Sequence, residues 1–149
     1  MGFETPSLKG RALRLLSGRE YSRLELERKL QQFEEEPGSL AAALDDLQAK
    51  GFISEQRVLE SVVNRRSGKL GAARIKQELQ GKGLDPQAVA EAMTELRSTE
   101  LVRAREVWRK KFGQPPIDAT ERAKQMRFLA SRGFGGDTIS RVVAGNDED

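Results

Sequence analysis

Apolar side chains recur along this chain every three or four residues, and short breaks containing Gly, Pro or Ser divide the pattern into nine helix-length stretches. Leu8 to Leu16 is the first, closed by Ser17-Gly18. Ser22 and Glu25 have the spacing of a capping box, in which each side chain takes the other residue's exposed backbone N–H. The helix they open carries Leu26, Leu30 and Phe33 on one face, and Glu34-Glu35-Glu36-Pro37-Gly38 breaks it. Ser39 is expected to cap a third helix running to Lys50, with Leu40, Leu44 and Leu47 inward and Gly51 as the stop. Ser54 opens a fourth helix through about Arg66, and Gly68 separates it from a fifth at about Gly71 to Lys82, carrying Ile75 and Leu79. Gly83 stops that one; Asp85-Pro86 is an N-cap followed by proline at the first helical position. The sixth helix presents Val89, Met93 and Leu96; the seventh runs from about Thr99 to Phe112 and ends at Gly113-Gln114-Pro115-Pro116. Asp118 and Glu121, again at capping-box spacing, open an eighth that Gly133 stops, and Asp137 or Thr138 opens a short ninth with Ile139 and Val143 inward.

The stretches repeat in threes. Leu24, Leu26, Leu30, Leu40, Leu44 and Leu47 shift by 49 onto Ala73, Ile75, Leu79, Val89, Met93 and Leu96. A further shift of 50 reaches Ala123, Leu129, Ile139 and Val143, and Gly83-Leu84 falls on Gly133-Phe134. The third copy is imperfect, since Gln125 and Asn146 fall on apolar columns. The expected fold is therefore all-α: three tandem three-helix repeats, helix-turn-helix-like, forming an elongated array whose curvature the short connections leave open. The expected boundaries are 1–53 with an N-terminal extension, 54–98, 99–145 and an acidic tail at 146–149. A three-helix unit of this size buries its core poorly alone, so neighbouring repeats should share an interface.

Composition narrows the chemistry more by what is missing. The 149 residues include neither His nor Cys. That removes disulfides, thiol nucleophiles, the usual zinc and iron–sulfur ligands and the side chain most often used as a general base near neutral pH. No phosphate-cradling glycine motif and no nucleophilic serine motif is present, and the neighbouring acids Asp45-Asp46 and Glu34-Glu35-Glu36 diverge on a helix rather than pair. No enzyme and no cofactor is expected. The longest apolar run, Leu40 to Leu44, is far too short for a membrane span, and the first residues lack a signal-peptide pattern, so the expectation is a cytoplasmic monomer.

Charge adds a direction. Lys plus Arg number 26 against 23 Asp plus Glu, a net +3, but three acids sit in the last three positions and leave residues 1–145 at +6. Arg outnumbers Lys 17 to 9, which suits bidentate phosphate or carboxylate recognition and equally suits a helical surface. The cations crowd the first two helices of each repeat: Arg11, Arg14, Arg19, Arg23, Arg28 and Lys29 in the first; Arg57, Arg65, Arg66, Lys69, Arg74, Lys76 and Lys82 in the second. Arg103, Arg105, Arg109, Lys110 and Lys111 crowd the start of the third, and Lys124, Arg127 and Arg132 follow. Leu40 to Ala49 and Pro86 to Leu96 contain no Lys or Arg but do contain Asp45, Asp46, Glu91 and Glu95. Acidic third helices make poor recognition helices for the major groove. A basic strip fits a polyanionic track or an acidic protein groove, and for any single Arg a solvated surface is the competing explanation.

Several stretches resemble one family, the RecX regulators of the RecA recombinase. Ala12-Leu13-Arg14-Leu15-Leu16-Ser17-Gly18-Arg19-Glu20-Tyr21-Ser22, with Glu25-Leu26 and Lys29-Leu30, is similar to the family's opening; Leu47, Gly51-Phe52-Ile53 and Arg57 to its first junction. Arg65-Arg66 through Lys69-Leu70-Gly71, Arg74-Ile75, Glu78-Leu79 and Lys82-Gly83-Leu84 resemble its middle repeat. Lys110-Lys111-Phe112, Lys124, Arg127-Phe128-Leu129 and Arg132-Gly133-Phe134 resemble the last. Ser54-Glu55-Gln56 and Val58-Leu59 depart from the acidic residues and the aromatic-Ala pair usual there. The resemblance implies a negative regulator that binds the RecA–DNA filament along its helical groove and suppresses ATP hydrolysis, strand exchange and co-protease activity. The expected partners are that filament and single- or double-stranded DNA within it, met by Arg57, Arg65, Arg66, Lys69, Arg74, Lys76, Lys82, Arg103, Arg105, Arg109, Lys110, Lys111, Lys124, Arg127 and Arg132. A nonspecific DNA-binding protein acting without the recombinase and a protein-only adaptor with a basic face are the alternatives.

Overall fold

A computed structural model describes residues 5–145 of the chain, so the acidic tail at 146–149 lies outside the described residues. Among the described residues all regular structure is helical. The helices are α1 (Leu8–Gly18), α2 (Arg23–Leu30), α3 (Ser39–Ala49), α4 (Glu55–Arg66), α5 (Ala72–Gly81), α6 (Pro86–Ser98), α7 (Glu100–Lys111), α8 (Ala119–Ser131) and α9 (Gly136–Val143). They pack as two compact units: described residues 5–61 together with Gly81–Asp85, and Val62–Gln80 together with described residues 86–145.

In the first unit α1, α2 and α3 enclose Ala12, Leu26, Leu30, Leu40, Leu44, Leu47 and Ile53. The Ser22–Glu25 capping box is formed in full, and Ser54 caps α4 by accepting from the Arg57 N–H at 3.2 Å. Two features differ from the sequence reading. After Leu30 the chain tightens into a 3₁₀ turn, Gln31–Phe33. Three residues per turn instead of 3.6 swing Phe33 off the apolar face, and it lies 38% exposed beneath the Arg11 guanidinium. Ser39 does not cap α3 either. Gly38, at φ 87°, occupies the cap position and Ser39 is already helical; the Leu40 N–H is taken instead by the Glu34 carboxylate at 2.8 Å.

The turn Gly81–Asp85 belongs to the first unit through α2. Lys82 pairs with Glu25 at 3.1 Å, and Gly83, at φ 71°, lies so close to Leu24 that any Cβ there would meet the leucine side chain. This explains a column of the repeat that is not core. Leu24 is half-buried against that glycine, and its counterpart Ala73 is exposed. Glu25 also receives Arg19 at 2.9 Å and the Ser22 N–H at 3.0 Å. Burial alone would raise its carboxyl; these donors and Lys82 outweigh burial and hold it at about 2.

In the second unit α7, α8 and α9 enclose Ala104, Leu129, Phe134, Ile139, Val142 and Val143. The buried columns of the middle repeat (Ile75, Leu79, Val89, Met93 and Leu96) hold as read. Gln125, the misfit of the third copy, is 1% exposed and fully engaged: it accepts from Trp108 Nε1 at 2.8 Å and donates to the Gln114 carbonyl at 3.0 Å. A buried amide is tolerated there because both its ends are paired. Helix α9 starts one to two residues earlier than the Asp137 or Thr138 reading, with Gly135 as its cap. Between the second and third repeats the expected shared interface includes a close backbone contact. The Gly71 N–H donates to the Arg132 carbonyl at 2.8 Å, and Gly71 has no room for a Cβ against the Gly133 backbone. Gly133 (φ 89°) in turn lies against Arg74, as Gly83 lies against Leu24 one repeat earlier.

Two measurements test these assignments. Gln125→Leu restores the apolar column yet strands the Trp108 N–H and the Gln114 carbonyl, so urea unfolding should show a loss of about 1–3 kcal/mol, not a gain. Glu25 has a folded pKa below its unfolded value, so its stabilisation is present above about pH 4.5 and fades as pH falls toward 2. Relative to Glu25→Gln, the protein should be more stable by up to about 3 kcal/mol at pH 7, with the gap closing by about pH 2.

Candidate functional site

Four of the candidate cations converge on one open groove in the second unit, of about 560 Å³, lined by Arg66, Lys69, Leu70, Arg74, Gln77, Glu78 and Arg132. Arg66 comes from the last turn of α4, where a cation also favours the helix dipole. Lys69 stands on the turn between α4 and α5, Arg74 in the first turns of α5, and Arg132 at the end of α8. The Gly71–Arg132 hydrogen bond and the Arg74 donation to the Ser131 carbonyl at 2.6 Å hold the two walls together.

Among the described residues a single carboxylate faces these cations. Glu78 holds Arg66 at 3.0 Å and Arg65 at 3.7 Å. Arg132 stacks its guanidinium over Phe128, 4.6 Å from the ring centre. Lys69 is exposed and forms no ion pair among the described residues. The groove thus keeps a cationic excess, with an aromatic ring beside it that also faces Lys111 at 5.4 Å and packs edge-on against Phe112.

The other candidates fall elsewhere. Arg109, Lys110 and Lys111 are exposed at the last turn of α7, where Glu106 pairs with Arg109 at 2.7 Å and with Lys110 at 4.0 Å. Lys76, Lys124 and Arg127 are exposed on α5 and α8, and Arg105 is half-buried on α7. Arg57 and Lys82 belong to the first unit. Arg57 bonds Glu20 at 2.8 Å and the Gly51 carbonyl at 2.6 Å, while Lys82 has only 13% of its side chain exposed.

Arg103 is occupied internally. It donates to the carbonyls of Ser67, Leu70 and Leu96 at 2.7–2.8 Å and to Thr99 Oγ1 at 3.0 Å. Burial pushes its pKa down, against the pull of Glu100, and it stays charged. Beside it Glu100 caps α5, accepting from the Ala72 N–H at 2.9 Å. Together the two residues fix the turn that carries Lys69. Sequence reasoning saw the cations but missed Glu100 and Glu78, whose partners lie 28 and 12 residues away. Among the described residues no group of three or more acids could hold a metal ion, and no helix is long and apolar enough to cross a membrane.

Models of the first, second and third three-helix domains of RecX match residues 9–52, 54–93 and 98–143. The chain belongs to the RecX family. A Regulatory protein RecX from Leptothrix cholodnii is 55% identical over 137 residues, 92% of this chain and 87% of the relative. One from Chromobacterium violaceum is 44% identical over 149 residues, 100% of this chain and 97% of its own. The crystal structure of RecX from Lactobacillus salivarius matches in fold, with a TM-score of 0.74 at 21% identity, covering 94% of each chain. A second, titled regulatory protein RecX, gives a TM-score of 0.73 at 19% identity over 91% of this chain and 70% of that one. The RecX relatives are named as regulatory proteins, and the three tandem three-helix domains seen here are the RecX architecture.

The internal role of Arg103 has its own test. Arg103→Ala should lower urea stability by about 2–3 kcal/mol by leaving carbonyls of the turn unpaired. Amide exchange at residues 69–72 should accelerate, and Arg103→Lys should fail to rescue it because an ammonium lacks the planar fork.

Proposed function

We propose that this RecX protein binds the filament that the RecA recombinase forms on DNA and suppresses its ATP hydrolysis, strand exchange and co-protease activity, with the groove of the second unit as a contact surface. The observation that carries this reading is the convergence of Arg66, Lys69, Arg74 and Arg132 on one groove, against one carboxylate, Glu78, among the described residues. Such an excess attracts a polyanionic surface, and the planar forks of its arginines suit phosphates and carboxylates. Family membership supports the recombinase as the partner. The absence of His and Cys suits a protein that acts by occupancy.

Lys69 and Arg132 are the residues to change, because neither forms an ion pair among the described residues and both are exposed. Lys69→Glu with Arg132→Glu should leave helicity intact, weaken filament binding at least tenfold and relieve inhibition of recombinase ATPase. Titration against DNA, free recombinase and assembled filament at two salt concentrations sorts the alternatives. The expected result is preference for the filament, with a salt slope about two units shallower in the variant if both side chains meet phosphates. Equal, steeply salt-dependent affinity for naked DNA would make the protein a nonspecific DNA binder. Binding to free recombinase unaffected by DNA would make it a protein-only adaptor, and unchanged inhibition by the variant would remove the groove from the mechanism.

A further inference from the structure

The first unit has a hollow of its own, of about 440 Å³, between α1 and the end of α2. Leu15 and Leu30 contribute to its floor, Arg11, Arg14 and Lys29 to its rim, and Phe33 closes one side. No acid lines it. Arg14 and Lys29 are exposed, and neither pairs with a carboxylate among the described residues. The Arg11 guanidinium lies over the Phe33 ring, 3.7 Å from its centre, so two planar groups stack at the edge of the hollow. Glu35 and Glu36 line a second hollow that shares Arg11 and Phe33 with this one.

We infer that this hollow is a binding site for a nucleoside phosphate, either free or as one nucleotide of a single strand. Three cations with no carboxylate among the described lining residues select an anion, and paired Arg donors suit the oxygens of a phosphate. The apolar floor and the Arg11–Phe33 stack provide what a base needs, a flat hydrophobic and cationic face. The volume falls in the range of small-ligand sites and accommodates one nucleotide. Charge sets the orientation. Glu35 and Glu36 repel the phosphates from the Phe33 side, so these lie toward Arg14 and Lys29 while the base lies against Phe33 and Leu30. An acidic peptide would satisfy the rim equally but gains less from the planar stack. This inference concerns a different unit from the groove and stands independently of the filament reading.

The test uses the full chain and backbone-amide NMR titration with three probes: deoxyadenosine triphosphate, inorganic pyrophosphate and a ten-nucleotide oligothymidylate. The oligothymidylate arm is run in the Lys69→Glu, Arg132→Glu background, so that the groove cannot supply the signal. Saturable shifts at Arg11, Arg14, Lys29 and Phe33 are expected, with the nucleotide bound at least tenfold more tightly than pyrophosphate. Arg14→Glu with Lys29→Glu should weaken the nucleotide at least tenfold. Phe33→Leu, which keeps apolar bulk but loses the flat ring, should weaken nucleotide and leave pyrophosphate unchanged; a thermal melt confirms that each variant is folded. Tighter binding by oligothymidylate than by the triphosphate identifies a strand as the source, and the reverse identifies a free nucleotide. Equal affinity for pyrophosphate and nucleotide, indifference to Phe33→Leu, shifts confined to other residues, or tighter binding by an acidic peptide each overturn the proposal.

Discussion

Three backbone carbonyls converging on the guanidinium of Arg103 constrain everything built around them in the second unit. Ser67, Leu70 and Leu96 each present an oxygen at 2.7–2.8 Å, and a buried carbonyl left without a donor is costly. The turn between α4 and α5 therefore has one favourable position relative to α7. Glu100, one helical turn away, secures the first N–H of α5 in the same movement of the chain. With that turn fixed, Gly71 meets Arg132 and Gly133, and the groove acquires both its walls. The cations that face the groove are thus placed by polar groups that do not face it.

This arrangement separates two tasks that the sequence presents as one. Arg103 and Arg74 both look like surface arginines in a basic stretch. Arg103 directs its donors inward, to Thr99, Ser67, Leu70 and Leu96; Arg74 directs one donor to the Ser131 carbonyl and still lines the groove. Lys69 is held by backbone placement and Arg132 by its stack on Phe128, and neither arrangement neutralises the charge, which is available to a partner. Glu78 restrains the cationic excess by holding Arg65 and Arg66, and a partner anion competes with it for the same guanidinium groups.

What could be read in advance follows from the range of the forces involved. The helices and most buried columns were legible because three- and four-residue spacing and local caps act within a turn or two of helix. Leu26, Ile75 and Leu129 report the same physics three times. Phe33 was misplaced because a 3₁₀ turn changes the angular step without changing the composition. Ser39 was misread as a cap because the carboxylate that serves α3 arrives from Glu34, outside the usual motif. The candidate site was half legible: cation clusters are visible in one dimension, but which cations are already engaged depends on Glu20, Glu25, Glu78 and Glu100. Only the fold brings those carboxylates to their partners.

The amide of Gln125 has a consequence for how the repeats can be exchanged. Leucine, isoleucine and glutamine occupy one column in Leu26, Ile75 and Gln125, yet only the last is matched to an indole N–H and a loop carbonyl. A chimera that transplanted α2 or α5 into the place of α8 would bury the wrong chemistry against Trp108. The duplicated modules have become individually keyed, so their order along the chain is no longer interchangeable.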